Sequence, residues 1–182
     1  MNRTPVPEAQ LASTDAGLSP EGDGWFVVNV ADAVSVGIDE RHYAFNFEGA
    51  QRRFPHFGIN LRVLYPGRPA AMYHAESNQE AFLVLEGECT LIVEDRERTL
   101  HKWDFFYCSP NTAHVIVGAG SGRCIVLMVG ARTGGRELLY PASEAAAQYG
   151  ASVTEDTNDP VVAYAGWKRP QPGRYPWPLA TG

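Results

Sequence analysis

The residues best suited to chemistry lie near the middle of the chain. His74, Glu76 and Glu80 stand close together just ahead of the apolar run 81–85, and His114 follows a tight turn after another apolar segment. Because side chains two positions apart on a strand point the same way, His74 and Glu76 are expected to project together. Two imidazoles and one or two carboxylates that converge from separate strands suit a first-row transition metal.

The elements that must position these residues are short apolar segments separated by turn signals. Strands are predicted at residues 25–30, 57–65, 80–85, 89–94, 98–101, 104–108, 112–117 and 123–129. Several short strands with no amphipathic helix between them favour a sandwich or barrel over a parallel α/β sheet. A helix is predicted only after these strands, at residues 142–149, and Gly150 ends it.

Length, composition and charge bound the class of protein. The chain has 182 residues, of which 45% are hydrophobic and 20% charged, and this suits a single globular domain. Its net charge of −6, with no run of Lys or Arg, lacks the positive surface that nucleic acid requires. No apolar run approaches membrane-spanning length and no signal-peptide core is present. We therefore expect a cytoplasmic protein with no nucleic-acid or membrane partner.

The three cysteines point to the same compartment. Cys89, Cys108 and Cys124 are odd in number, widely separated and placed within or beside apolar segments. No CxxC-type pair is present, so a zinc site built from these residues is not expected. We interpret them as buried free thiols in a reducing environment.

The segment from Gly67 to Gly87 resembles the first motif of the cupin superfamily, Gly-x5-His-x-His-x3,4-Glu-x6-Gly. His74 falls on the first histidine of the motif, Glu80 on the glutamate and Gly87 on the closing glycine. Gly67 stands one residue earlier than the pattern asks. Glu76 replaces the second histidine, which makes the expected site harder and more negative.

The second cupin motif, Gly-x5-Pro-x-Gly-x2-His-x3-Asn, is matched by identity only at His114. Ser109 takes its proline position and Asn111 its glycine position. The turn is still expected, because Pro110 stiffens it and Asn is the best-tolerated non-glycine residue at positive φ. The resemblance covers about residues 55–131.

The resemblance implies an all-β fold, the double-stranded β-helix or cupin jelly-roll barrel, over residues 25–131. Residues 1–24 are expected to form an extended N-terminal arm. Residues 132–182 are expected to contain a short C-terminal helix and a Pro- and aromatic-rich tail that cannot pair in a sheet. Such barrels often pair through edge strands that would otherwise be exposed, so a homodimer is expected.

The residues and the resemblance together imply one divalent transition metal, either zinc, iron, manganese or nickel. His74, Glu80 and His114 are the predicted ligands, and Glu76 is a predicted fourth ligand. Gln79 is a weaker alternative, because an amide binds metal less well than a carboxylate.

Strand alternation from Glu80 and His114 predicts the lining of the pocket. The predicted lining residues are Met72, Phe82, Val84, Thr112, Ile116 and Arg62. Arg62 is interpreted either as a group that binds a substrate carboxylate or as an exposed or interface arginine. The remaining histidines, at positions 42, 56 and 101, are predicted to be surface or structural residues.

The predicted function is that of a metal-binding cupin acting on a small organic molecule. Its chemistry would be that of a metal-dependent oxygenase, such as a dioxygenase, or of an isomerase. The alternative is a non-catalytic cupin that binds or senses a small ligand. The loss of the second motif histidine slightly favours either this alternative or an unusual chemistry. The sequence does not choose between them, nor does it name the substrate or the metal.

Overall fold

The computed structural model describes residues 4–39, 42–49 and 53–177. Its strands are β1 Gln10–Thr14, β2 Gly17–Glu21, β3 Val34–Asp39, β4 His42–Asn46, β5 Phe57–Leu64, β6 Ala75–Glu76, β7 Glu80–Glu86, β8 Glu88–Val93, β9 Arg96–His101, β10 Phe105–Cys108, β11 His114–Gly118, β12 Cys124–Ala131, β13 Leu138–Leu139 and β14 Gln171–Pro172. Its helices are α1 Glu144–Ala147 and α2 Pro160–Ala163. The arm and tail predictions for residues 1–3 and 178–182 lie outside the described residues.

Two antiparallel sheets enclose the core. The large sheet has seven strands in the order β10-β7-β12-β5-β4-β3-β14, and the small sheet has three in the order β11-β8-β9. Apolar side chains from both sheets meet between them, among them Phe82 and Val84 of β7, Leu91 of β8 and Ile116 of β11. This arrangement confirms the all-β barrel that the short apolar segments predict.

The small sheet continues beyond β11 into the segment that carries the first motif. Pro69 bridges to Val117, and His74 bridges to His114, both in antiparallel sense. β6 then follows and pairs with β13. The histidine-bearing segment of the first motif therefore lies beside that of the second motif on one wall of the barrel, although the two are far apart in sequence.

Two turn residues have the conformations that the motifs predict. Gly87 has φ +75°, and a Cβ at this position would collide with the backbone oxygen of Arg123, so only glycine fits the β7–β8 turn. Asn111 has φ +64°, which confirms that it replaces glycine in the turn before β11. Its backbone N–H donates to the carbonyl of Glu76 at 2.7 Å, and this bond ties the two motifs together.

The C-terminal region is partly as predicted. Helix α1 falls within the predicted range; the Ser143 side chain caps it by accepting from the backbone N–H of Ala146, and Gly150 follows at φ +66°. Helix α2 was not predicted. The expectation that the tail cannot pair in a sheet is wrong, because β14 pairs with Val36 and Gly37 of β3.

The N-terminal region differs from expectation. Where an extended arm is predicted, β1 and β2 form an antiparallel hairpin. The strand predicted at residues 25–30 is absent, because this apolar segment has no partner strand beyond a single bridge from Trp25 to Glu8. The three cysteines are buried and free, as predicted.

Candidate metal centre and its cavity

Backbone pairing brings the two motif histidines together. The N–H of His74 donates to the carbonyl of His114 at 3.1 Å, and the N–H of His114 donates to the carbonyl of His74 at 2.9 Å. Residues paired in this way carry neighbouring side chains on the same face, and their ring centroids lie 5.0 Å apart.

Glu80 reaches the same place from the opposite sheet. It opens β7, where it pairs with Cys108 of β10 and Gly130 of β12. Its side chain lies beside Gly130, where a Cβ would be 3.6 Å from Oε1 of Glu80. One potential ligand atom from each of His74, Glu80 and His114 lies within 4.8 Å of the others.

The hydrogen bonds of the two rings define which nitrogens face inward. Nδ1 of His74 lies 2.8 Å from the carbonyl of Met72, and Nδ1 of His114 lies 3.1 Å from the carbonyl of Thr112. A carbonyl can only accept, which assigns the proton of each neutral ring to Nδ1 and leaves Nε2 as the acceptor. Sγ of Cys108 lies 3.3 Å from Nδ1 of His114 and accepts there, while its own proton is directed to the carbonyls of Ser109 and Thr112. Backbone carbonyls commonly orient metal-binding histidines in this way.

The Glu80 carboxylate has one oxygen without a hydrogen bond. Its Oε2 is buried and lies 3.4 Å from Nε2 of His114, but the two atoms form no hydrogen bond. Since the Nε2 atom is itself an acceptor, the ionised carboxylate and this nitrogen are two acceptors 3.4 Å apart. Buried acceptors in such a position need a proton or a cation between them.

Burial sets the protonation of the three groups. It lowers the pKa of His74, and together with the neighbouring His74 it lowers the pKa of His114 to about 4. Burial and the nearby Glu76 carboxylate raise the pKa of Glu80 to about 7. Both imidazoles are therefore in the neutral form that binds metal at neutral pH.

The donor set fits a divalent transition metal. Ligands held about 2.0–2.2 Å from one ion lie at most about 4.4 Å apart, which is close to the spread of the three atoms here. Two neutral imidazole nitrogens and one carboxylate oxygen are ligands that zinc, iron, manganese and nickel share.

Glu76 lies beside this group but is engaged elsewhere. Its side chain is buried, and its Oε2 accepts from Nε of Arg136 at 2.8 Å and lies 2.7 Å from Nη2 of the same residue. It is not one of the three residues whose ligand atoms converge. The side chain of Gln79 is exposed.

A cavity of about 200 Å³ adjoins the three residues. Of the predicted lining residues, Arg62, Phe82 and Ile116 line it, and Met72, Val84 and Thr112 do not. Val84 is fully buried in the core, and Met72 packs against Tyr140 instead.

Several cavity residues were missed from the sequence. They are Asn60, Ala70, Ala71, Val115, Met128, Val129, Gly130, Arg136, Tyr140 and Tyr164. Asn60 could have been found, because it stands two positions from Arg62 on the same strand face. Tyr140 and Tyr164 come from the region after the barrel, where the motifs give no signal.

The other histidines have separate environments. His42 is buried on β4, and its Nε2 lies 3.2 Å from Nη1 of Arg62. His56 and His101 are exposed, and His101 lies 3.6 Å from a carboxylate oxygen of Glu88.

Comparison with known families agrees with the fold. Residues 60–130 match the family model described as the cupin domain, Cupin_2. This part of the chain is a cupin domain. The match contains both motif histidines and Glu80, and it ends before the helices and the C-terminal tail.

Solved structures that this chain is similar to include two proteins described as sugar phosphate isomerases and a polyketide cyclase. A protein assigned as a sugar phosphate isomerase from Acidithiobacillus ferrooxidans is 29% identical with a TM-score of 0.44, covering 46% of this chain and 55% of that chain. A cupin-superfamily sugar phosphate isomerase from Silicibacter pomeroyi is 21% identical with a TM-score of 0.49, covering 56% and 66% respectively. The polyketide cyclase RemF from Streptomyces resistomycificus is 15% identical with a TM-score of 0.50, covering 58% and 78%.

None of these similarities assigns an activity to this chain. The chain covers less than two thirds of the length of the two isomerases. At 15% identity, the cyclase supports the barrel architecture alone. No curated protein matches the sequence. Among the described residues, no helix has the length and apolar character needed to cross a membrane.

Proposed function

We propose that this cupin binds one divalent transition metal through His74, Glu80 and His114 and acts on a small organic molecule in the adjacent cavity. The observation that carries this proposal is the pair of facing acceptors, Oε2 of Glu80 and Nε2 of His114, at 3.4 Å. A cation between them would satisfy both atoms, and Oε2 of Glu80 has no hydrogen-bond partner among the described residues.

The chain supplies the surroundings for this chemistry. A metal so bound would supply either oxygen activation or Lewis-acid polarisation of a substrate oxygen. The backbone carbonyls of residues 72 and 112 hold the two imidazoles in the required tautomer. Phe82, Ile116 and Met128 give one side of the cavity an apolar surface that suits a partly apolar ligand.

A non-catalytic cupin that binds or senses a ligand is the second candidate. It is favoured by one observation: the residue at the second motif position, Glu76, is held by Arg136. The metal would then have one protein ligand fewer than the motif provides. Both candidates use the same cavity, and they differ only in whether the bound molecule is converted.

Turnover by the reconstituted protein tests the proposal. The chain would be purified without chelators and without a histidine tag, analysed for metal, and then loaded separately with iron, manganese, nickel and zinc. Oxygen uptake and isomerisation would be measured against catechols, thiols and keto acids, with His114→Ala as the inactive control and His56→Ala as the matched surface control. Turnover lost only in the His114 variant supports an enzyme, whereas tight binding without turnover supports the second candidate.

We also propose that two copies of the chain associate through β10. This strand ends the large sheet, and within the described residues its outer edge pairs with no other strand. Phe105 and Tyr107 alternate along β10 and are 63% and 55% exposed, and Trp103, just before the strand, is 65% exposed. An apolar edge of this kind is normally covered. Light scattering should show a dimer, and Phe105→Lys with Tyr107→Lys should give a monomer.

The proposed location is the cytoplasm. Its support is that Cys89, Cys108 and Cys124 are all buried and free, as is usual in reducing compartments.

A further inference from the structure

Arg62 carries a positive charge at the cavity, and its hydrogen-bond partners are uncharged side chains. It lies on β5 and lines the cavity beside the candidate metal centre. Its Nε donates to Oδ1 of Asn60 at 3.2 Å, and its Nη1 lies 3.2 Å from Nε2 of His42. Both partners are uncharged when the histidine accepts, so neither balances the positive charge.

Three other arginines have carboxylate partners. Arg123 pairs with Glu86 at 2.8 Å, and Arg132 pairs with Glu48 at 2.6 Å. Arg136, which also lines the cavity, pairs with Glu76. Among the side chains that the structure describes, no carboxylate pairs with Arg62. Arg62, on β5, therefore differs from these three arginines in having no carboxylate partner among the described side chains.

An uncompensated buried charge is costly to the folded protein. Burial lowers the pKa of Arg62, but a guanidinium stays protonated in proteins. The protein therefore keeps a positive charge at the cavity wall at a cost in stability. Buried charges that cost stability in this way are typical of sites that bind a charged ligand.

Two neutral donors stand with Arg62 on the same cavity. Oδ1 of Asn60 is occupied by Arg62, which leaves its amide NH2 to donate. The hydroxyl oxygen of Tyr164 accepts from the N–H of Met72 at 3.2 Å, which leaves its proton to donate. Burial raises the pKa of Tyr164, so the hydroxyl stays protonated at neutral pH.

An adjoining cavity supplies further positive charge. It has a volume of about 480 Å³, shares Arg62 and Tyr164 with the first cavity, and is also lined by Lys168 and Arg169. Basic side chains along a cavity attract anions and raise their local concentration.

We propose that Arg62, Asn60 and Tyr164 form an anion subsite that holds a carboxylate or phosphoryl group of the ligand, with the rest of the molecule directed toward His74, Glu80 and His114. This deepens the proposed function by naming the class of ligand, a small anionic organic molecule. The cavity of about 200 Å³ lies below the range of roughly 300–1,000 Å³ that is usual for drug-sized ligands, which also favours a small molecule.

Binding of model anions to metal-free protein tests the subsite separately from the metal centre. The chelator-treated protein would be titrated by calorimetry with benzoate, with its neutral isostere benzamide, and with inorganic phosphate. We expect at least one of the two anions to bind, and benzoate to bind at least tenfold more tightly than benzamide if the subsite takes carboxylates. Tighter binding of phosphate than of benzoate would assign the subsite to phosphoryl groups.

Variants decide which arginine is responsible. Arg62→Met should weaken anion binding at least tenfold while leaving the circular dichroism spectrum unchanged. Arg62→Lys keeps the charge but loses the planar fork, so it should bind severalfold more weakly than the native protein; it carries the test if Arg62→Met fails to fold. Arg98→Gln, which removes an exposed positive charge from β9, should have no effect.

Three results would overturn the subsite. They are the absence of binding by both anions, equal binding of benzoate and benzamide with no binding of phosphate, and unchanged anion binding by Arg62→Met. Loss of anion binding in Arg136→Gln but not in Arg62→Met would show that Arg136 binds the anion, and this would also refute the assignment to Arg62. None of these results depends on metal content, so failure of the metal proposal would be seen separately by elemental analysis.

Discussion

The cavity has two polar ends, and one lacks a positively charged partner while the other lacks a negatively charged one. At one end, Oε2 of Glu80 faces Nε2 of His114, so two acceptors lack a positive partner. At the other end, the Arg62 guanidinium has no carboxylate partner among the described residues, so a donor lacks a negative one. The first end is complementary to a cation and the second to an anion, and both open on the same space.

This contrast separates charged groups that are paired within the fold from charged groups at the cavity that are available to ligands. Elsewhere charged groups meet their partners, as Glu48 does with Arg132 and Glu86 with Arg123. Only at the cavity does the described part of the chain combine an unpaired acceptor with an unbalanced donor. The protein gives up some stability at both ends, and ligands would restore it.

The largest expected effect comes from removing a metal-binding imidazole. His74→Ala and His114→Ala should each reduce metal content from about one per chain to near zero, because two remaining ligands hold a divalent ion weakly. The barrel should stay folded, since its core is apolar and does not depend on the metal. Elemental analysis and circular dichroism check both statements, and His101→Ala is the matched control. Full metal occupancy in either site variant would remove that residue from the ligand set.

Replacing Glu80 by Gln should separate metal binding from stability. Loss of the anionic ligand should weaken metal affinity by more than the roughly 10–100-fold that is usual for residues acting behind the ligands. The pKa of Glu80 is about 7, so the comparison is made in metal-free protein well above pH 7, where its carboxyl is ionised. There the new amide can donate to Nε2 of His114, so the melting temperature should rise by about 2–4 °C, equivalent to ~1 kcal/mol. Competition with a chelating dye and thermal melting measure the two effects. A lower melting temperature would mean that the two acceptors do not oppose each other.

Two arginine substitutions compare an unbalanced charge with a balanced one. Arg62→Met should leave the stability of the ligand-free protein unchanged or raise it by ~1 kcal/mol, because a buried charge is removed. Arg123→Met should lower stability by ~1–2 kcal/mol, because its side chain contacts Glu86 and the hydroxyl of Tyr175. Urea unfolding measures both. Equal destabilisation by the two changes would show that Arg62 is balanced in the folded protein.

Glu76→Gln should have a smaller effect on the metal end. The change releases Arg136 from its ion pair and leaves a positive charge near the proposed metal. Metal affinity should fall severalfold without being lost, which corresponds to less than ~1.4 kcal/mol. A dye competition titration gives the value. A complete loss of metal would instead place Glu76 among the ligands.

The smallest effect is expected at a balanced surface pair. Hydrogen bonds from Arg123 lower the pKa of Glu86 below its usual 4.5. A lowered folded-state pKa gives stability above about pH 4.5 and loses it as the pH falls through the folded value. Glu86→Gln should therefore cost less than ~1 kcal/mol at pH 7, since the pair is partly exposed, and nothing near pH 2. Melting curves at both pH values test this, and an undiminished cost near pH 2 would contradict it.

Much of the barrel was predictable because its signals are local. Turn residues such as Gly87 and Asn111 mark the ends of strands, and the apolar segments between them coincide closely with β5 and with β7 to β12. The N-terminal hairpin and β14 were missed, because their pairing is set by contacts with distant segments. Pro172 illustrates this: its residue type argues against a strand, but it lies opposite Val36 at the sheet edge.

The candidate site divides in the same way. The convergence of His74, Glu80 and His114 was predictable, because the two motifs carry it. The environment of Arg62 was not, since it depends on His42 from β4 and Tyr164 beyond α2. The ion pair between Arg136 and Glu76 was also not predictable from the sequence, because the pairing of β6 with β13 brings the two residues together.

The location of the metal tests the central claim most directly. Crystals of metal-loaded protein would be measured at the X-ray absorption edge of the bound element, and the anomalous signal would locate the ion. The account predicts one peak per chain, about 2.0–2.2 Å from Nε2 of His74, Nε2 of His114 and a carboxylate oxygen of Glu80. A stoichiometric peak bound by other residues, or a fully loaded protein with no peak between these three side chains, would contradict it.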